Sequence, residues 1–209
     1  MDFTAERKAM VDSQVRVNDV TNHEIHMAMM AVPRERYCAP ARIFAAYSDA
    51  SVEIAGDRKL MPARDVSKLL QAADAREGEK ALAIAAPYAA AVLARMGLTV
   101  TAQESDAAVF EVVGEALAED GVTTAVAPLD APVGEGWDLI VCEGGVAALP
   151  EAWGQALRAG GRLVVVERRG AIGKAALYVK GREGLSRREL FDSSPALLAE
   201  LTPAPTFAF

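Results

Sequence analysis

Two cysteines and two histidines are all that 209 residues offer a soft or borderline metal. Cys38 and Cys142 stand far apart with no Cys-x-x-Cys spacing, and His23 and His26 are the only imidazoles. A zinc centre lacks ligands, a disulfide framework is unsupported, and no metal is expected. Aromatics are scarce, at 6%, so Ala, Val and Leu must build the core. No apolar run reaches membrane-spanning length; the Ala-rich stretch 81–94 is broken by Pro87 and Tyr88 and followed by Arg95. The charged start, Met1 to Lys8, has no apolar segment behind it and does not read as a secretory signal. Basic residues are outnumbered, 22 Lys and Arg against 29 Asp and Glu, for a net charge of -7. Nucleic acid and anionic membrane surfaces both demand a basic footprint, so neither is expected as a partner. These absences predict a cytoplasmic protein with reduced thiols.

What is present is apolar content, 52% of the chain, enough for the core of one ordinary domain. Two rhythms divide it. From Glu6 to about Asp74 the spacing is helical. Met10, Val11, Gln14, Val15 and Val17 predict a short amphipathic helix. Thr21 or Asn22 caps a second carrying Ile25, Met29 and Met30, which Pro33 ends. Ala39 to Tyr47 reads as a short helix, Asp49 to Gly56 as irregular or extended, and Ala63 to Ala73 as a helix. From Lys80 short apolar strands alternate with helices. The strands are 81–84, 98–103, 122–127, 137–142 and 162–167, and a closing hairpin joins 175–180 to 185–191. Helices are expected at 88–96, 106–117 and 149–157, and Pro203 and Pro205 predict an extended C-terminus. Buried strands alternating with helices imply a parallel sheet covered on both faces. The division predicts an N-terminal helical segment, 1–76, packed on a sheet domain, 77–209, as one compact unit.

In such folds ligands sit beyond the carboxyl ends of the strands. The first of these loops, Ala85-Ala86-Pro87-Tyr88, contains no glycine. Each alanine methyl intrudes where a nucleotide approaches and disfavours positive φ, and Pro87 lacks an N–H to donate. Pro87 suits the first position of the following helix. Glu104, after the second strand, stands where a carboxylate can accept two ribose hydroxyls, or can be a solvated loop acid.

Four segments carry a resemblance to a known family. Met10-Val11-Asp12-Ser13-Gln14-Val15, Ala31-Val32-Pro33-Arg34-Glu35-Arg36-Tyr37, Trp137-Asp138-Leu139-Ile140-Val141 and Leu157-Arg158-Ala159-Gly160-Gly161-Arg162-Leu163-Val164-Val165 are similar to segments of the protein-L-isoaspartate O-methyltransferases. The Val-Pro-Arg-Glu element is the most specific. The resemblance implies an α/β, Rossmann-like class I S-adenosylmethionine-dependent methyltransferase fold, a mostly parallel seven-stranded sheet with extra N-terminal helices. It implies methyl transfer from S-adenosylmethionine to isoaspartyl carboxylates of damaged proteins. It places Ala85, Ala86, Tyr88, Glu104 and Cys142 around the cofactor.

Departures fall on the chemistry. The family's Gly-x-Gly-x-Gly-Tyr loop is replaced by 85–88, with only Tyr88 kept. Its Gly-Gln-Thr-Ile-Ser-Gln-Pro segment, laid on 56–62, puts Arg58 and Leu60 at the two hydroxyl positions, so no catalytic residue carries over. The acid after the third strand has no counterpart; Val126 and Ala127 occupy that region, with Asp130 a displaced substitute at best. Arg58 and Lys59 read as a carboxylate receptor or, more commonly, a solvated basic loop. Cys142 reads as a reactive thiol or, more commonly, a small buried apolar group. Glu143-Gly144-Gly145 offers backbone N–H groups to a ligand or forms a plain turn. His23 and His26 share a helix face without a third ligand, and Asp138 is structural.

These features predict weak or lost activity, with the crevice beside Ile84 narrowed by the alanines and filled by Tyr88. The alternatives are a non-catalytic binding or scaffolding protein and a methyltransferase with a different substrate. The oligomeric state carries no sequence signal.

Overall fold

A computed structural model describes residues 2–202; Pro203 and Pro205 lie outside them. Helix α1 (Thr4–Met10) continues into a π-helical turn, Val11–Val15, and a 3-10 turn, Arg16–Asn18, where one regular helix was expected. Asp19, at φ 62°, reverses the chain. The Asn22 side chain then accepts from the Glu24 and Ile25 amides and caps α2 (His23–Ala31). Extended Val32 before Pro33 ends α2. The helix expected over Ala39–Tyr47 is a 3-10 turn, Pro40–Ala45. Of the irregular or extended readings for 49–56, the structure shows the extended one: β1 (Val52–Ala55) forms an antiparallel hairpin with β2 (Arg58–Leu60). Its turn needs Gly56, at φ 54°. Helix α3 (Ala63–Ala73) follows.

The remaining strands form one seven-stranded sheet: β3 (Lys80–Ile84), β4 (Thr99–Glu104), β5 (Thr123–Val126), β6 (Trp137–Val146), β7 (Leu157–Glu167), β8 (Gly173–Lys180) and β9 (Leu185–Ser193). Their order is β5-β4-β3-β6-β7-β8-β9. The first five are parallel and β8 and β9 are antiparallel, as the sequence rhythm predicted. Helices α4 (Pro87–Arg95), α5 (Ala107–Glu119) and α6 (Glu151–Ala156) connect them. Two sheet boundaries differ from expectation by more than two residues. Strand β6 runs on through Glu143, Gly144 and Gly145 rather than turning there. Strand β7 starts at Leu157, directly after α6, because its Gly160-Gly161 pair is accommodated as an irregularity in the pairing with β6.

The N-terminal layer and one face of the sheet share a core. Met10, Ile25, Met29 and Leu69 are buried in the same cluster as Ala81, Ala83 and Val141. Leu82, Ile84, Cys142 and Trp153 build a second cluster. Strand order reverses between β3 and β6, so the ligand crevice of this topology lies at their carboxyl ends.

Candidate functional site

Three chain segments meet at that edge. Strand β3 delivers the loop Ala85–Ala86. Ala85 adopts φ 49°, the left-handed region that glycine favours, so the backbone keeps a glycine-type path with a methyl attached. Both alanines are buried. Pro87 occupies the first turn of α4, which lacks a side-chain cap of its own. Glu143, reaching across from β6, supplies one: its Oε1 accepts from the Ala89 amide at 2.7 Å, and its Oε2 from the Met61 amide at 3.4 Å. Burial pushes the Glu143 carboxyl up, opposed by nearby Arg34 and the two amides.

Strand β4 delivers Glu104, and β2 delivers Arg58. Arg58 Nε donates to Glu104 Oε2 at 2.9 Å, and the two side chains are 2% and 1% exposed. Arg58 is therefore not the solvated basic residue that its loop-like surroundings suggested; the β1–β2 hairpin turns it inward. Lys59, next to it, does face solvent. Glu104 is likewise no solvated loop acid. Its Oε1 has no hydrogen-bond partner among the described residues. Desolvation outweighs the single Arg58 bond and raises its pKa to about 7.

The other half of the Arg58 guanidinium belongs to the chain's far end. Arg58 Nη2 donates to Glu200 Oε1 at 2.7 Å and to Ser105 Oγ at 3.0 Å; the Ser105 hydroxyl donates to Glu200 Oε1 at 2.5 Å. Arg58 Nη1 reaches Asp57 at 3.1 Å. These bonds, working against desolvation, bring the Glu200 pKa to about 2.

Glu200 sits on a 3-10 turn, Ala199–Leu201, at the end of a strap over β6. The Gly145 amide donates to Ala196 O at 2.8 Å, and the Leu198 amide donates back to Gly145 O at 2.9 Å. Leu198 is buried against Gly144; a Cβ there would fall 2.9 Å from its side chain. The glycine pair thus receives the protein's own strap, and the Gly145 N–H is not free for a ligand. From the third side Leu129 enters the cluster that holds Ala85 and Cys142. Gln103 pins its loop, bonding Pro128 O, Ala131 O and the Val133 amide.

The crevice is closed, as expected, but the agents differ. Tyr88 is fully buried on the other side, edge-on to Tyr37 with centroids 5.7 Å apart and with the Arg34 guanidinium 4.6 Å above its ring. Nothing in those contacts makes it the plug. Arg58 and the strap do that work, leaving a cavity of about 10 Å³ bordered by Arg58, Met61, Glu143 and Gly144. That is room for about one water, whereas small-molecule sites measure roughly 300–1,000 Å³. The residues present do not fit S-adenosylmethionine: Glu104 is engaged by Arg58, the 85–88 loop carries methyl groups, and the cavity beside them holds about one water.

Leu60 is fully buried opposite Val52, so the second hydroxyl position supplies only packing. Cys142 is buried beside Ile84, and desolvation pushes its thiol far up, which removes nucleophilic character. Asp130 is exposed. His26 is buried with Nε2 2.8 Å from Val20 O, while His23 is exposed. Among the described residues no cluster of three His, Cys, Asp or Glu is placed to hold a metal. Asp138 lies at the opposite end of the sheet, where it accepts from the Lys80 amide and pairs with Arg158. Ser105 and Glu200 were not among the expected site residues, and Glu143 was read for its backbone N–H rather than for the carboxylate that caps α4. Glu200 contacts Arg58 across 142 positions, a separation no local pattern encodes.

The family model for Protein-L-isoaspartate(D-aspartate) O-methyltransferase matches residues 5–187. A protein-L-isoaspartate O-methyltransferase of Methylorubrum extorquens (strain PA1) is 32% identical, over 93% of this chain and 87% of its own length. One from Methylorubrum populi is 31% identical, over 94% and 95%. Among solved structures, a protein-L-isoaspartate O-methyltransferase covers 94% of this chain and 67% of its own at TM-score 0.74 and 18% identity. A Plasmodium falciparum PCMT in complex with S-adenosyl-L-homocysteine covers 93% and 98% at TM-score 0.78 and 15% identity. At those identities the structural likeness establishes the fold, the class I methyltransferase sheet.

Proposed function

Because the chain belongs to the protein-L-isoaspartate O-methyltransferase family, the chemistry it inherits is methyl transfer from S-adenosylmethionine to isoaspartyl carboxylates in damaged proteins; we propose that in this fold the transfer is weak or lost. One observation carries the reading: the buried Arg58–Glu104 pair takes up the carboxylate that would hold the donor's ribose. Transfer depends on holding donor and acceptor in a reactive geometry, and a chain that does not hold the donor forfeits that advantage. Segments 1–76 and 77–209 act as one unit in this reading, supported by the Tyr37 hydroxyl bonding Asp120 at 2.9 Å. Two buried free thiols, Cys38 and Cys142, suit a cytoplasmic setting.

Titration calorimetry with S-adenosylmethionine and S-adenosylhomocysteine tests it, beside a labelled methyl-transfer assay on an isoaspartyl peptide. The expected result is weak or absent binding and turnover far below an active relative. A low-micromolar dissociation constant, about -8 kcal/mol, with turnover matching the relative, overturns it.

A second reading, a non-catalytic binding protein on the methyltransferase fold, is favoured by one contact: the Glu200 carboxylate already resting on Arg58 and Ser105.

A further inference from the structure

Building on the reading that the donor site is closed, we propose that Arg58 and Ser105 form a receptor for a peptide carboxylate, filled in cis by Glu200. The receptor is built before any ligand arrives. Glu104, 1% exposed, holds Nε of the guanidinium and fixes its plane. The Ser105 hydroxyl accepts from Nη2 and so turns its own proton outward, onto the same carboxylate oxygen that Nη2 binds. The second Glu200 oxygen lies 3.5 Å from Nη1. This is the fork geometry by which arginine selects carboxylates, with a hydroxyl added.

The occupant in cis is the exposed member of the set. Glu200 has a side chain 39% exposed, against 2% for Arg58. It rides on a strap fastened to β6 by two backbone bonds around Gly145. Lifting it leaves one Nη2 hydrogen and the Ser105 hydroxyl without an acceptor, while Nη2 keeps its bond to Ser105 Oγ, and orphaned donors of that kind favour any carboxylate that can enter. Exposed Lys59 borders the same opening beside Asp57, which accepts from Nη1, so the unfilled carboxylate position is the one on Nη2 and Ser105. A tethered group competes at an effective concentration on the order of millimolar, so a peptide binds the native chain weakly and gains when Glu200 is neutralised.

The test uses the full chain and its Glu200→Gln variant, titrated with three otherwise identical capped peptides bearing isoaspartate, aspartate or asparagine. Binding of an acidic peptide at least tenfold tighter to Glu200→Gln than to the native chain, with the asparagine peptide silent, supports the assignment. The ratio between the two acidic peptides tells which carboxylate fits. Adding Arg58→Lys to Glu200→Gln should cost at least tenfold. Should that variant misfold by circular dichroism, Ser105→Ala with Glu200→Gln serves instead, with a several-fold loss expected. A folded Glu200→Gln chain that binds no acidic peptide at concentrations on the order of millimolar overturns the receptor, as does binding indifferent to Arg58 or Ser105. A parallel titration of the native chain with S-adenosylmethionine separates the two readings: tight binding there sinks the closed donor site, while the peptide arms on Glu200→Gln still judge the receptor.

Discussion

Arg58 Nε and Glu104 Oε2 meet at 2.9 Å with both side chains almost wholly out of solvent. The partners come from β2 and β4, 46 positions apart in the chain. Their pairing makes both side chains part of the core.

Removing one partner leaves a buried charge alone. Arg58→Ala should destabilise the protein by about 3–5 kcal/mol, read as a lower midpoint in urea. Coupling it with Glu104→Gln should recover a large part of that loss. A single variant as stable as the native chain would show the pair to be energetically idle.

Of the carboxylates around Arg58, Glu104 and Glu200 give opposite pH dependences. Glu104 has a folded pKa of about 7, raised from 4.5, so the folded state holds its proton more tightly. Its contribution is greatest below about pH 4.5 and is lost as pH rises to about 7. Glu200 is depressed to about 2, so its contribution is present above pH 4.5 and lost as pH falls towards 2. Melting temperatures between pH 4.5 and 8 should therefore fall for the native chain relative to Glu104→Gln. Parallel curves for the two proteins would refute the raised pKa.

Ala85 at φ 49° bears strain of roughly 1–2 kcal/mol. Replacing it with glycine relieves that strain against lost methyl burial and greater unfolded-state freedom. Ala85→Gly should be neutral to mildly stabilising, whereas Ala83→Gly, inside β3, should cost about 1 kcal/mol or more. Equal losses at both sites would mean that the left-handed backbone carries no strain.

Restoring the donor site requires two changes together. A Gly-x-Gly-x-Gly loop in place of 85–87 should add little S-adenosylmethionine affinity alone, because Arg58 still holds Glu104. With Arg58→Thr as well, binding should appear in calorimetry. Glu104→Ala in that background should remove about 1.5–3 kcal/mol of it, the worth of a charge-assisted hydrogen bond. Affinity restored by the loop alone would place the block in the loop and exonerate Arg58.

The succession of strands along the chain, the closing antiparallel hairpin and the structural place of Asp138 were legible in the sequence. Each is written locally: apolar runs of strand length, turn residues between them, and a charge at the start of β6. The family was legible through the Val-Pro-Arg-Glu element, whose Arg34 proves fully buried, donating to Ala46 O and Met61 O. The glycine-free loop foretold a closed crevice. The sequence did not decide what closes it. For Arg58 the sequence left a carboxylate receptor and a solvated loop cation both open, because linear composition reports the average exposure of a segment, not the direction of one side chain. Its burial follows from a two-stranded hairpin that points alternate residues inward. Its partners lie 46 and 142 positions away. Only the folding of β4 beside β3, and of the C-terminal strap over Gly144 and Gly145, brings those carboxylates to one guanidinium. Local periodicity fixes which face of an element is apolar; which charges meet across the sheet is set by the closure of the whole chain.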